Sequence, residues 1–347
     1  MSLAYRALAL QTTCHAVNAC TSVEDARAKV AENIARVGRQ IRASKAFIGA
    51  DLKLVVLPEY FATSYPLGDT IPGWAEKGAF AMDGPEYEQL GRIAQDNGVY
   101  LAANAYERDP HFPSLYFQSQ VVLDDAGNQV LRYRRLISLF APSPHDVWDK
   151  YLDVYGIDGV FPVARTPIGN LACIASEEIL YPEIARAHGL RGAEVFLHCT
   201  SEVGSVEPTP KDIAKRARAI ENLAFVVSAN TAGIAGVDIP LASADGMSKL
   251  VDDQGRVLAA AGFGESMAAN AELDIAGLRR RRQRPGMGNT LSRLPQAAIA
   301  AGLAQTALLP NQLLDGEAIR IPQRADFAAR QQASIARLKT MGVLTDG

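Results

Sequence analysis

The chain has 347 residues, with 35 Lys and Arg against 38 Asp and Glu, for a formal net charge of −3. Hydrophobic residues make up 48% and charged residues 21%, a globular composition that excludes a disordered or collagen-like chain. The near-neutral balance gives no basis for nucleic acid or an anionic membrane as partner, and the four scattered cysteines form neither a disulfide framework nor a CxxC zinc pair.

Residues 1–13, MSLAYRALALQTT, hold no run long enough for a signal h-region, and no 18-residue apolar stretch follows, so a cytoplasmic protein with free thiols is expected. Residues 5–11 read as a first strand. Residues 23–49 set Val30, Ile34, Val37 and Ile41 at helical spacing. LKLVVLPEY, a continuous apolar run ended by Pro58, fits a central strand buried on both faces. Residues 84–97 read as a helix with Leu90, Ile93 and Ala94 on one face. VYLAANAYE follows as a strand, and SLYFQSQVVLDDAGNQVLRYRR as a hairpin with Asp, Gly and Asn at its turn.

The second half repeats the style without an internal sequence repeat. VFPVARTPIGNLACIAS predicts two strands, EEILYPEIARAHGLRG a helix ended by Gly, and AEVFLHCT a strand. A helix over TPKDIAKRARAIENLA, a strand FVVSANTAG, a hairpin SKLVDDQGRVLAAAG and a last strand ANAELDI complete the pattern. This alternation predicts an α/β core of two mixed sheets. From about 285 the strand character fades, and 324–343 reads as an amphipathic helix. The division is a catalytic-type domain over 1–285 and a C-terminal extension over 286–347 making oligomer contacts. The run Arg279–Arg282 with Arg284 reads as a solvated or oligomer-contacting basic segment.

Three polar residues stand at predicted strand ends, where ligand sites of open α/β sheets gather. Glu59 follows LVVLP, and a carboxylate at the end of a buried strand is costly unless paired or used. Arg135 closes the hairpin strand beside Arg134; alone, such a pair is a solvated face or a partner for a carboxylate. Ser176 sits between an apolar strand and a helix, the place of a plain N-cap or of a nucleophile elbow.

Together these segments resemble the nitrilase (carbon–nitrogen hydrolase) superfamily over residues 5–285. LKLVVLPEYFATSYP is similar to the stretch carrying that family's glutamate base, VVLDDAGNQVLRYRRL to that carrying its lysine, and TPIGNLACIASEEILYPEIARAHGLRGAEVFLHCTSE to that carrying its cysteine. The resemblance implies a four-layer αββα sandwich, a homodimer or higher homo-oligomer, and hydrolysis of a C–N bond in a small molecule. It places Glu59 on the glutamate, Arg135 on the lysine and Ser176 on the cysteine, 76 and 41 residues apart. Cys173, three residues before Ser176, is the alternative thiol. For substrate contacts the reading names Tyr60, Tyr181, Cys199 and Thr200, with His145 or Asp149 in place of a second acidic residue.

A serine needs a base where a thiol does not, and arginine keeps the positive charge but donates no proton near neutral pH. The expectation is an amidase- or nitrilase-like hydrolase with a Glu-Arg-Ser triad. The alternatives are a lyase, hydratase or isomerase using Glu59 alone, or an inactive binding homologue. No GxGxxG, P-loop, HExxH or HxH pattern calls for a cofactor or a metal.

Overall fold

The computed structural model describes residues 3–345; the outermost residues of both expected domains, 1–2 and 346–347, lie outside it. The first half runs β1 (Ala4–Ala9), β2 (Cys14–His15), α1 (Val23–Ile48), β3 (Leu52–Val56), α2 (Ile71–Lys77), β4 (Phe80–Ala81), α3 (Pro85–Asn97), β5 (Tyr100–Arg108), β6 (Tyr116–Leu123) and β7 (Gln129–Arg134). The second half runs α4 (Trp148–Val160), β8 (Ala164–Thr166), β9 (Gly169–Ala175), α5 (Pro182–Leu190), β10 (Val195–Cys199), α6 (Pro210–Asn222), β11 (Phe225–Ala229), β12 (Ile234–Ala235), β13 (Lys249–Val251), β14 (Val257–Ala260) and β15 (Asn270–Asp274). Then come α7 (Ile275–Gln283), α8 (Gln296–Gly302), β16 (Leu314–Asp315), β17 (Ala318–Ile319) and α9 (Arg324–Thr340).

Two large sheets form, in orders β15-β1-β3-β5-β6-β7, with β4 also on β5, and β14-β13-β11-β10-β9-β8; β12-β2 and β16-β17 make two short ribbons. Each has three parallel central strands, β1-β3-β5 and β9-β10-β11, flanked by antiparallel ones. The two halves thus share one topology without sharing a sequence repeat.

Side-chain alternation builds the layers. Leu171, Cys173 and Ala175 of β9 face Leu54, Val56, Ala102 and Tyr133 across an apolar inter-sheet core. Their neighbours Ala172 and Ile174 pack outward against Ala185 of α5 and Ala214 and Ala219 of α6. On the other side Val55, Leu101 and Val121 meet Val30, Ile34, Val37 and Ile41 of α1 and Leu90 and Ala94 of α3. The result is the expected αββα sandwich. Among the described residues no helix is long and apolar enough to cross a membrane.

Two expectations are corrected. The helix expected over 177–192 is interrupted: residues 176–180 form a 3-10 turn, and α5 starts only at Pro182. Proline lacks an N–H and forces Tyr181 into an extended conformation (φ −103°, ψ 102°). The arginine run is solvated only in part: Arg279, Arg280 and Arg284 are exposed, yet three of the arginines also make fixed contacts. In α7, Arg279 forks onto Glu194 at 2.7 and 2.8 Å, and Arg281 onto Asp253 at 2.5 and 2.6 Å. Arg282 donates to the carbonyls of Leu223 and Asn222 at 2.8 and 3.1 Å. These arginines tie α7 to the second sheet.

The extension lies against its own core. Asn311 receives a bond from the Asp149 amide (2.9 Å) and gives one to the His145 carbonyl (3.0 Å). The Leu313 amide bonds to the Asp146 carbonyl at 2.9 Å, and Arg330 of α9 pairs with the Asp146 carboxylate. Leu313 and Phe327 are buried in these contacts.

Helix α3 rests directly on the β6–β7 turn. Gly127 has φ +87°, and a Cβ on Gly91 would stand 2.6 Å from the Gly127 carbonyl oxygen. Gly91→Ala is expected to destabilise the fold by about 1–3 kcal/mol through this clash, measured by urea unfolding.

Candidate active site

Glu59 follows β3, Arg135 follows β7, Ser176 follows β9 and Ser201 follows β10. All lie at one edge of the sandwich, at the carboxyl ends of strands running the same way. There they line one cavity of about 460 Å³, with Tyr60, Tyr106, Gln118, Phe140, Glu177 and Arg324.

The centre of the site is the Arg135 guanidinium, which is 9% exposed. Its Nη1 donates to Glu59 Oε1 at 3.0 Å and to Gln118 Oε1 at 2.5 Å, its Nη2 to Glu177 Oε1 at 2.5 Å, and its Nε to the Ile137 carbonyl. Gln118 Nε2 also donates to Glu59 Oε1 at 2.8 Å. Burial disfavours the charge on Arg135, but Glu59, Glu177 and Glu178 together hold its proton above the ordinary guanidinium range. Arg134 has carboxylate partners of its own outside the cavity. It pairs with Glu107 at 3.1 Å and Asp109 at 2.5 Å, among the rings of Phe117, Tyr151 and Tyr155.

Ser176 has a left-handed backbone, φ +50°, as does Tyr60 at +36°. Such conformations cost about 1–3 kcal/mol each unless the surroundings hold them. The Ser176 carbonyl accepts from His198 Nε2 at 2.9 Å, and the Tyr60 amide donates to Asn104 Oδ1 at 3.0 Å. A carbonyl only accepts, so His198 carries its proton on Nε2, and Nδ1 takes the Ser228 hydroxyl proton at 2.8 Å. Burial, with help from the Lys215 charge, pushes His198 well below the ordinary imidazole value.

One buried carboxylate fixes the turn. Glu178 accepts from the amides of Ala175 (3.0 Å), Leu136 (2.7 Å) and Ile137 (3.1 Å) and from the Tyr133 hydroxyl (2.8 Å). Burial raises its pKa, against the pull of Arg135 and these donors.

The remaining candidates lie elsewhere. His145 and Tyr181 line a neighbouring cavity of about 300 Å³ that shares Ser138, Leu139 and Glu177 with the first. Asp149 lies in the first turn of α4 and bonds the extension through its amide. Cys199 is buried behind the site with its thiol on Gln120 Oε1 at 3.1 Å, and the Thr200 carbonyl accepts from the Glu59 amide at 3.3 Å. Burial pushes the Cys173 and Cys199 thiols well above their ordinary range and Cys14 up to about 12. Cys173 faces the inter-sheet core and offers no thiolate to the cavity. Gln118, Glu177 and Arg324 were not singled out in the sequence. Among the described residues no group of three or more His, Cys, Asp and Glu side chains is placed to hold a metal.

Two predictions follow from this geometry. Glu178→Gln turns an NH₂ toward amides that now donate to it, and is expected to cost about 1–3 kcal/mol by urea unfolding. His198 has a depressed folded-state pKa, so below about pH 6.5 the unfolded chain takes up a proton that the folded chain refuses. Stability therefore falls as the pH drops from there, and His198→Asn is expected to give a shallower acid slope in unfolding midpoints.

A family model described as carbon-nitrogen hydrolase matches residues 9–283. A probable nitrilase of Schizosaccharomyces pombe is 28% identical over 207 residues, 60% of this chain and 70% of that protein. A formamidase of Bacillus thuringiensis is 26% identical over 216 residues, 62% of this chain, which spans 60% of the formamidase's length. A carbon-nitrogen hydrolase from Helicobacter pylori G27 shares the fold with a TM-score of 0.64 at 21% identity, covering 88% of this chain and 99% of that one. Nit3 of Saccharomyces cerevisiae, a member of the nitrilase superfamily, does so with a TM-score of 0.63 at 19% identity, covering 84% and 97%. The family match takes in well over half of the chain, at whose strand ends the cavity is built, and the chain belongs to the carbon-nitrogen hydrolase family.

Proposed function

We propose that this family member hydrolyses a C–N bond of a small amide or nitrile, with Ser176 as nucleophile, Glu59 as base and Arg135 as charge stabiliser. The observation that carries the reading is the convergence of these three residues, from three separate strand ends, on one cavity that none of Cys14, Cys173 and Cys199 lines. A Glu-to-Gln mutant of an amidase from Nesterenkonia sp. AN1, similar in fold with a TM-score of 0.57 at 19% identity, has been captured with the acetamide moiety of fluoroacetamide added covalently at its active-site cysteine. In the present chain serine takes that part.

For an amide, Ser176 Oγ attacks the carbonyl carbon while Glu59 takes the hydroxyl proton. Both protein bonds to the Glu59 carboxylate fall on Oε1, which leaves Oε2 for that proton. The carbonyl electrons move onto oxygen, facing the Arg135 charge. When the oxyanion collapses, the C–N bond breaks and its electron pair stays on nitrogen. The nitrogen takes the proton back from Glu59 and leaves as ammonia or an amine. Water then adds to the Ser176 ester, giving its proton to Glu59. The C–O bond to Ser176 breaks, the acid departs and the hydroxyl is restored.

A second reading, an acid/base enzyme without a covalent step or a binding protein without turnover, is favoured by one observation. Both Nη atoms of Arg135 already bond carboxylates, so an oxyanion would have to share them. With either reading goes a homodimer or higher homo-oligomer, supported by exposed Leu180 and Tyr181 beside α5, Leu190 at its end, and Ile213 and Ile220 on α6, to be measured by light scattering.

The test is turnover of a panel of small amides, nitriles, ureas and esters followed by mass spectrometry. Ser176→Ala and Glu59→Gln are each expected to lower kcat by about 10²-fold or more. Loss only with Glu59→Gln selects the non-covalent enzyme, and no turnover by the unmodified protein selects the binding protein.

A further inference from the structure

The cavity holds a second arginine, and it comes from outside the segment that matches the family. Arg324 opens α9, 41 residues beyond the end of the match at 283. The extension is fixed in this position by Asn311, Leu313 and the Asp146–Arg330 ion pair, and by the buried Phe327.

The Arg324 guanidinium lies 4.0 Å from the centre of the Phe140 ring, and both residues line the cavity. Stacking on an aromatic face orients a guanidinium without consuming its N–H donors. The acidic groups around it are already claimed: Asp326 pairs with Arg320, Asp146 with Arg330, and Asp69, which lines an adjoining cavity with Arg324, with Lys77. Among the described residues no carboxylate pairs with Arg324. Arg135 is the contrast, saturated by Glu59 and Glu177. Of the two cations in the cavity, one belongs to the reacting centre and the other is open to a ligand.

The charge count limits that ligand. Glu59 and Glu177 balance Arg135 and Arg324 in the cavity lining, which favours one carboxylate charge at Arg324 over the two charges that phosphate concentrates on one centre. A planar guanidinium fork matches a carboxylate in two-point contact.

We propose that Arg324 is a specificity residue that binds a carboxylate at the far end of the substrate. Resting on the hydrolase reading above, this makes the substrate class an amide or nitrile of an acid-bearing acyl chain. The extension then completes the active site of its own chain.

The experiment has two arms on the full chain. In the first, malonate, succinate, glutarate and inorganic phosphate are titrated by calorimetry into the unmodified protein and into Arg324→Ala, Arg324→Lys and Arg324→Glu. At least one dicarboxylate is expected to bind. Its affinity should fall tenfold or more in the Ala and Glu variants and less in the Lys variant. No dicarboxylate binding, equal binding by Arg324→Ala, or tighter binding of phosphate overturns the proposal. Melting curves that match the unmodified protein confirm that the exposed position leaves the variants folded.

In the second arm, malonamate, succinamate and glutaramate are compared with propionamide, butyramide and valeramide. The kcat/KM ratio of the best acid-bearing amide to its neutral counterpart should drop tenfold or more in Arg324→Ala. Hydrolysis of neutral amides with an unchanged ratio overturns the carboxylate proposal and leaves the hydrolase reading intact. Dicarboxylate binding through Arg324 without hydrolysis of any amide or nitrile upholds the carboxylate site at Arg324 and overturns the hydrolase reading together with the substrate class that rests on it.

Discussion

Two sheets packed face to face share no backbone ladder, and apolar packing alone gives little directional control over how one slides on the other. In this protein that control comes from polar bonds across the gap. Glu178, on the turn after β9, accepts from Tyr133, Leu136 and Ile137 of the opposite sheet's edge as well as from Ala175 of its own. Gln120 Nε2 donates to the Leu197 carbonyl at 3.1 Å, and the Glu59 amide to the Thr200 carbonyl at 3.3 Å, again from one sheet to the other. A carboxylate this deeply buried is tolerated because four donors surround it. The same bonds bring Ser176, on one sheet, to Arg135 and Glu59, on the other.

The geometry of the site depends on local strain held by neighbours. Tyr60 and Ser176 both carry left-handed backbones next to the reacting positions. Asn104 holds the first, and a neutral histidine, His198, the second. His198 lies outside the cavity and Asn104 meets it through Gln118, whose Nε2 it accepts from at 3.2 Å, and each fixes where a cavity side chain stands. Arg135 is held more tightly than a flexible lysine ammonium would be, because its planar fork meets Glu59, Gln118 and Glu177 at once.

Much of this frame was legible in the sequence because it rests on short-range patterns. The helical spacing of Val30, Ile34, Val37 and Ile41, the apolar run before Pro58 and the Asp-Gly-Asn hairpin turn each report on a single element. Glu59, Arg135 and Ser176 were visible as polar residues at strand ends. Gln118 and Glu177 were not, since Gln118 reaches the site only through the β6–β7 register and Glu177 looks like any acidic residue in a helix's first turn. Pro182 was a readable break inside a strong helical pattern, and that pattern masked it. The direction of the α7 arginines and the arrival of Arg324 depend on how distant segments dock, which no local spacing encodes.

The adjacent arginines at the end of β7 have a consequence for how this hairpin pairs. Arg134 goes to the outer face with Glu107 and Asp109, and Arg135 to the cavity with Glu59 and Glu177. A pairing error of one residue would exchange the two faces. Each guanidinium would then meet carboxylates on its new side, so charge matching does not distinguish the right alignment from the wrong one. Discrimination falls to shape: the rings of Phe117, Tyr151 and Tyr155 that enclose Arg134, and the turn in which Asp124 Oδ1 accepts from the Ala126 and Asn128 amides at 3.0 and 2.7 Å. The alignment of this doubly charged strand end is thus set by its aromatic neighbours and by a five-residue turn.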